Sequence, residues 1–308
     1  MNLKRQTNMI KTLLPILCAL ALMACAGRQN NNSTTPAVDM PAATENTQTD
    51  QTQPRTPRYV LSDKEGTQFL LIDHEANPTE NPNDYKYIIY KGITYPVTFK
   101  GYQEGNPEND SGRDTYYNFD NLPGWRFALQ EDKLLTEPTD EYDAVWNAPL
   151  LVDEHFYNTV KKFYVSDRLT DRPLPDALKT QIEERFGRKI LHGAVTYEFE
   201  IVEKCQWIYA QFENEGDKAL AVVAAVMPDG SLCVKEFPAV WNEESVWRVD
   251  DEGEFYGLGL DLATEEDGVL TLYTFDQGAE GTNYQSYVVR GDSLCEGKVS
   301  DYFYQAAE

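Results

Sequence analysis

The chain has 308 residues, of which 41% are hydrophobic, 25% charged and 12% aromatic, with 51 Asp and Glu against 27 Lys and Arg. That apolar and aromatic content belongs to a folded globular protein and argues against wholesale disorder. A formal charge of −24 and an isoelectric point near 4.4 argue against a nucleic-acid partner, which would need a basic surface.

The first element is an export signal. Lys4, Arg5 and Lys11 make a basic start, and residues 13–23 form an apolar run broken only by Pro15. About 20 apolar residues are needed to span a bilayer as a helix, so this run reads as a cleavable signal peptide over 1–24. It ends Leu22-Met23-Ala24-Cys25. A Leu three positions before an obligatory Cys, with a small residue just before it, resembles the lipobox of bacterial lipoprotein precursors. The resemblance implies lipidation of the Cys25 thiol, cleavage before Cys25 and acylation of the new terminus, hence a membrane anchored through lipid. In related lipoproteins an acidic run after the Cys directs export to the surface. Ala26-Gly27-Arg28-Gln29-Asn30 contains none, so the expected address is the periplasmic face of an outer membrane.

Residues 25–58 follow as the lipidated Cys and a tether. Between 26 and 57 the composition is Asn, Thr, Gln, Pro and Ser with hardly any large apolar side chain. Such a stretch cannot offset its conformational entropy by burial and is predicted to be disordered, with a reach of roughly 30 Å. Removing 1–24 takes away the three positive charges Lys4, Arg5 and Lys11 and no negative ones, deepening −24 to −27. The excess lies on residues 59–308. Crowding of like charges there is expected to raise carboxylate pKa values and to favour mildly acidic pH.

The body reads as α+β, mainly antiparallel β-sheet with one or two packed helices. Residues 59–165 form a mainly β region, with strands predicted at 68–72, 85–90, 93–99 and 125–129. Asp153 is a predicted N-cap; Phe156, Val160, Phe163 and Tyr164 follow at helical spacing, although a strand also fits this piece. The clearest helix is 175–186, with Leu178, Ile182 and Phe186 on one face and Gly187 closing it. From there to 308 the period becomes two, and strands are predicted at 195–202, 206–212, 218–227, 232–237, 245–249, 255–260, 269–275, 284–289 and 299–304. Their short turns leave no room for crossover helices, so the sheet is expected to be mostly antiparallel. A domain boundary near 166–173 and a single domain are both compatible with this pattern.

Chemistry-bearing motifs are scarce. Cys205, Cys233 and Cys295 show no C-x-x-C spacing and allow at most one internal disulfide. His74, His155 and His192 belong to no metal or triad motif, and their expected roles are at the surface or as caps. The acidic runs 250–254 and 265–267 depart from the calcium-loop pattern, and no metal or cofactor is implied. Arg290-Gly291-Asp292 reads as an ordinary turn between strands. Aromatic residues are the stronger feature: Trp241 and Trp247 flank a polar tetrapeptide, and Trp125 follows a turn. Together with Trp125, they are the candidate ligand-binding residues, suited to a glycan or peptide surface. Two functions remain: a lipid-tethered module that binds a small ligand, a peptide or another envelope protein, or an envelope hydrolase acting on glycans or peptides through carboxylates. With no recognisable nucleophile or metal set, the first is favoured. The anchor has a direct test. Cys25→Ser should move the protein from the detergent phase to the aqueous phase, or leave it uncleaved; unchanged detergent partitioning would defeat the lipidation reading.

Overall fold

The computed structural model describes residues 54–72, 81–130, 148–169, 172–201, 203–278 and 280–305. The signal segment, Cys25, the tether up to residue 53 and His74 lie outside the described residues. The described fold is mostly antiparallel β-sheet, arranged as two sheets of seven and ten strands.

The first sheet contains β1 (Arg58–Tyr59), β2 (Leu61–Ser62), β3 (Gln68–Ile72), β4 (Tyr85–Tyr90), β5 (Ile93–Gln103), β6 (Gly124–Leu129) and β7 (Leu150–Asp153). Its order is β1-β7-β4-β5-β6-β3-β2. The two edge strands are neighbours in sequence, separated only by Val60, whose N–H donates to the Pro149 carbonyl at 3.0 Å. One chain run therefore serves both edges, and the sheet closes into a small barrel with no free edge between them. Phe69, Leu71, Ile88, Val97, Phe127 and Leu151 share one buried cluster. The alternate residues Leu70, Ile72, Ile89, Leu150 and Val152 belong to a second cluster. Burial on both faces is why β3 and β7 read as continuous apolar runs rather than alternating ones.

Next come α1 (Glu154–Thr159) and α2 (Asp176–Phe186). Asp153 caps α1, its carboxylate accepting from Phe156 N at 2.7 Å. The helix ends at Thr159 and Val160 is already extended, so Phe163 lies on a strand, while Phe156 and Val160 still share one buried cluster. Gly187 closes α2 with φ +68° and donates its N–H to Glu183 O at 2.8 Å. Leu178 and Ile182 share a buried cluster with Val195, Ile208, Phe212 and Val222.

The second sheet contains β8 (Lys161–Phe163), β9 (Arg172–Pro173), β10 (Ile190–Glu200), β11 (Lys204–Phe212), β12 (Lys218–Val226), β13 (Leu232–Val240), β14 (Gly259–Glu266), β15 (Val269–Gln277), β16 (Gly281–Arg290) and β17 (Ser293–Tyr304). Its order is β8-β14-β15-β16-β17-β13-β12-β11-β10-β9. All described pairings are antiparallel except β13 with β17, which meet in parallel at Val234 and Ser293. This sheet also closes. β8 pairs with β14, and the chain running on from it bonds to β10 through Ser166 N to Glu198 O and Leu169 N to Thr196 O, both 2.8 Å. Residues 161–169, together with β9, are thus a staple between the two ends of the sheet.

Closure gives β12 its double burial. Ala221, Val223 and Ala225 join Trp207, Phe199, Leu260, Leu272 and Tyr287 in one cluster drawn from strands all round the barrel. Val222 and Ala224 face the cluster that holds α2. An eight-stranded barrel has an interior just wide enough for side chains, and here small residues make room for large ones: fully buried Trp207 lies opposite Ala225. On the outer face, Leu262, Tyr273, Tyr284, Val299 and Phe303 share a cluster with Tyr59, Leu70 and Leu150 of the first barrel. Residues 52–308 form one compact unit, and among the described residues no helix is long and apolar enough to cross a membrane.

The expected strand 245–249 has become loop, and of the expected strand 255–260 only Gly259 and Leu260 are paired, at the start of β14. Their alternation serves side chains that dive into the barrel end rather than a ladder. At the other extreme, the expected tether reaches Arg58, yet its end is bound to the body. Arg55 N donates to Asp153 Oδ2 and Arg55 Nε to Asp84 Oδ2, both at 2.7 Å, while Tyr85 Oη donates to Thr56 O at 3.0 Å. Because this ion pair is half-buried, Arg55→Ala should cost about 1 kcal/mol and lower the melting temperature by roughly 2–4 °C. A melt indistinguishable from the parent would show that the docked end contributes nothing.

Candidate functional site

The connection from β13 to β14, residues 241–258, closes one end of the second barrel, and a single carboxylate organises it. Asp251 is 1% exposed. Its oxygens accept from the backbone N–H groups of Val246, Trp247, Arg248 and Gly253 at 2.7–2.9 Å. Burial pushes its pKa up, but these donors outweigh burial and hold the carboxyl below its ordinary range. Gln211 on β11 adds a second tie, donating to Gly253 O at 2.7 Å and accepting from Phe255 N at 2.9 Å. Phe255 and Leu258 join the barrel cluster, and Trp207 Nε1 donates to Leu258 O at 2.8 Å. A Cβ on Gly253 would lie 2.3 Å from the Trp241 ring, and φ there is +75°, so that position demands glycine.

Once fixed, the loop presents Arg248 and Tyr256 to a cavity of about 210 Å³ at the barrel mouth. Arg168 from the staple and Phe275, Asp276 and Gln277 from the end of β15 complete its wall, with Gly257 and Gly259 between them. The Arg248 guanidinium stacks on the Tyr256 ring at 4.4 Å, lies 3.6 Å from Asp276 and donates to Gln277 O. Arg168 is exposed, and its charge partly counters the rise that burial gives the Tyr197 pKa; among the described residues it has no carboxylate partner. Burial raises the Asp276 pKa, partly countered by Arg248. Phe275 presses on the backbone of Gly259, where a Cβ would meet its ring at 2.2 Å.

A second carboxylate lies where the barrels meet. Asp261 is the extra residue of a bulge between Leu260 and Leu262. Tyr59 Oη donates to Asp261 Oδ2 at 2.8 Å, and the Tyr59 ring stacks on Tyr284 with centroids 3.8 Å apart. Asp261 keeps some surface exposure yet has protein around most of its carboxyl group. Burial pushes its pKa up to about 6, against the lowering effect of the Tyr59 hydrogen bond. The crowding expected from net charge leads in none of the shifted carboxylates. Glu183, Glu198 and Glu296 lie below their ordinary range through hydrogen bonds from Lys189, Lys204 and Lys235, and the two raised carboxyls, Asp261 and Asp276, are raised by burial.

The structure separates the candidate tryptophans. Trp125 stands on β6 of the first sheet, half-buried against that barrel's cluster. Trp241 and Trp247 belong to the loop over the second barrel. Trp247 packs edge-on against Phe255 at 5.3 Å and donates from Nε1 to Phe237 O at 2.9 Å. His155 meets Glu266 at 2.8 Å on the surface, and His192 is exposed on β10. Cys205, Cys233 and Cys295 are free thiols. Cys205 and Cys233 stand on β11 and β13, with β12 between them. Two strand spacings put them about 9–10 Å apart, beyond a disulfide's usual Cα reach of about 4.4–6.8 Å. No group of three or more His, Cys, Asp or Glu side chains that could hold a metal occurs among the described residues. Asp292 of the Arg290-Gly291-Asp292 turn accepts from Arg185 at 3.1 Å.

Arg168, Arg248, Tyr256, Asp276 and Asp261 carry no local motif. Their signal was available only as Gly257-x-Gly259 next to aromatic residues, which marks close backbone approach without saying to what. No protein-family model, no curated protein and no solved structure matches this chain.

Asp261 yields a signed prediction. Because its folded pKa is raised, the folded state holds the proton longer than the unfolded chain, and stability falls as pH rises from about 4 through 6. Asp261→Asn keeps an acceptor for Tyr59 and removes the charge. It should stabilise the protein at pH 8 by about 1–3 kcal/mol, allowing for screening by residual solvent, and leave it unchanged near pH 4. Equal melting shifts at both pH values would contradict the ionisation argument.

Proposed function

We propose that this is a lipid-anchored protein of the bacterial cell envelope, exported and held at the periplasmic face of an outer membrane, whose second barrel is a ligand-binding module. The address rests on the basic start, the short apolar run and the lipobox resemblance ending at Cys25. We read the architecture as α+β, with α1 and α2 packed on the barrels, a reading supported by the apolar clusters that include Phe156, Leu178 and Ile182.

The observation that carries the binding reading is the cavity at the barrel mouth, where Arg168, Arg248, Tyr256, Asp276 and Gln277 converge over glycine backbone. Barrel mouths are frequent ligand sites, and a few fixed polar groups beside aromatic rings supply orientation and specificity. A volume near 210 Å³ suits a small polar molecule or one residue of a larger glycan or peptide, below the usual range for drug-sized ligands. The hydrolase reading needs two carboxylates, or a nucleophile beside a base. Among the described residues Asp276 is the one carboxylate in the cavity wall, and Arg248 beside it serves neither role.

The two readings part in one experiment. The mature protein is incubated with envelope glycans and peptides while binding is followed by ligand-observed NMR and turnover by mass spectrometry. Saturable binding without new products, lost in Tyr256→Ala, is expected. Product formation abolished by Asp276→Asn would overturn the binding module in favour of the hydrolase.

A further inference from the structure

The body of the chain carries the whole negative excess, yet the cavity wall contains two guanidinium groups and one carboxylate. Arg168 is the sharper of the two. Four of the eight arginines in residues 59–308 have a close carboxylate partner: Arg172 bonds Glu198, Arg188 bonds Glu215, Arg126 bonds Asp120 and Arg185 bonds Asp292. Arg168, in a protein with acids to spare, lies near the neutral Tyr197 hydroxyl and has no carboxylate partner among the described residues. A neutral neighbour leaves the charge and the donors of the guanidinium for something else. Arg248 is held more firmly. Its contacts with Tyr256, Gln277 O and Asp276 set the guanidinium plane, and its only ionic partner lies 3.6 Å away, longer than a close charge-assisted hydrogen bond.

Guanidinium groups present planar forks of donors that match carboxylate and phosphate oxygens. Tyr256 and Phe275 add aromatic surface next to them, which suits the carbon body of a ring rather than a bare inorganic ion. The volume limits that body to the size of a single sugar or amino acid.

We infer that the barrel-mouth cavity takes a small organic oxyanion, a sugar-sized ring or short chain bearing one carboxylate or phosphate group, gripped at the charged end by Arg168 and Arg248. This rests on the binding reading of the same cavity and adds the ligand class. Asp276 is then the discriminating element: its charge opposes an anion, so it sets an upper limit on affinity and selects against ligands with more than one negative group. The long-range field of the acidic body slows the approach of any anion, and added salt should therefore speed association even where it weakens final affinity.

The test uses the mature protein and four probes: D-glucuronate, glucose 6-phosphate, glucose and inorganic sulfate, titrated by isothermal calorimetry and NMR. Glucuronate or glucose 6-phosphate should bind saturably and glucose at least about tenfold more weakly, the usual worth of a charged hydrogen bond. Which of the two anions binds better separates a carboxylate from a phosphate ligand. Arg168→Ala, a change at an exposed side chain, should weaken the anion about tenfold or more while its melting curve stays close to the parent's. Asp276→Asn should tighten it several-fold. Glucose binding as well as glucuronate, with neither variant altering the affinities, would overturn the anion class and leave the cavity as a binding site. Sulfate binding alone would overturn the organic ligand. If none of the four binds and the Arg168 and Arg248 resonances stay unmoved, the cavity itself fails as the site.

Discussion

The architecture depends on a hydrogen-bonding constraint: an antiparallel sheet of this length has two edges, and both must be satisfied or covered. The chain solves it twice by the same device. A short extended run gives its first residues to one edge and its next residues to the other. In the first barrel the run is residues 58–62, with Val60 as the pivot; in the second it is residues 161–169, followed by β9. Everything else follows from closure. It creates an interior in each sheet, buries β12 on both faces, and fixes an end of the second barrel where a loop and two strand termini meet. The cavity exists because that end is closed by a loop rather than by a strand.

How much of this could be read from the sequence differs from part to part. Alternation, short apolar runs and turn chemistry located the strands at 68–72 and 85–90 and most of those after residue 190, because burial of one face or of both leaves its period in the side chains. The helix at 175–186 was legible through Leu178, Ile182 and Gly187 for the same reason. What failed was the loop at 241–258, whose apolar residues mimic alternation. Trp247, Phe255 and Leu258 are spaced to fill the barrel end while Asp251 supplies the hydrogen bonds that a ladder would have given. Closure itself left no trace, since the polar stretch that begins at Ser166 reads as a linker, yet its Ser166 and Leu169 bond to β10. The candidate tryptophans were visible, yet the residues that line the cavity were not. Arg168 and Asp276 lie more than a hundred positions apart and meet only through the topology.

Charge is distributed with a similar division of labour. Glu183, Glu198 and Glu296, each hydrogen-bonded to a Lys, have lowered pKa values, whereas burial raises those of Asp261 and Asp276, so net charge alone misjudges how the molecule responds to pH. Asp251 and Asp261 show the contrast within one segment of chain. Both are withdrawn from solvent to a large degree. Four backbone donors keep the first ionised, while a single phenol leaves the second within reach of neutral pH.

The docking of Arg55 has a mechanical consequence. Any pull on the chain ahead of Pro54 reaches the body first at the Arg55 contacts to Asp84 and Asp153, and only then at β1. Ladder hydrogen bonds run across a strand, so a load directed along β1 strains its bonds to β7 together instead of peeling them in turn. Because β1 and β2 are one run, the same load is handed across Val60 to the opposite side of the barrel, to β3. The first barrel thus resists a pull at residue 54 by shear along its strands rather than by peeling at one edge.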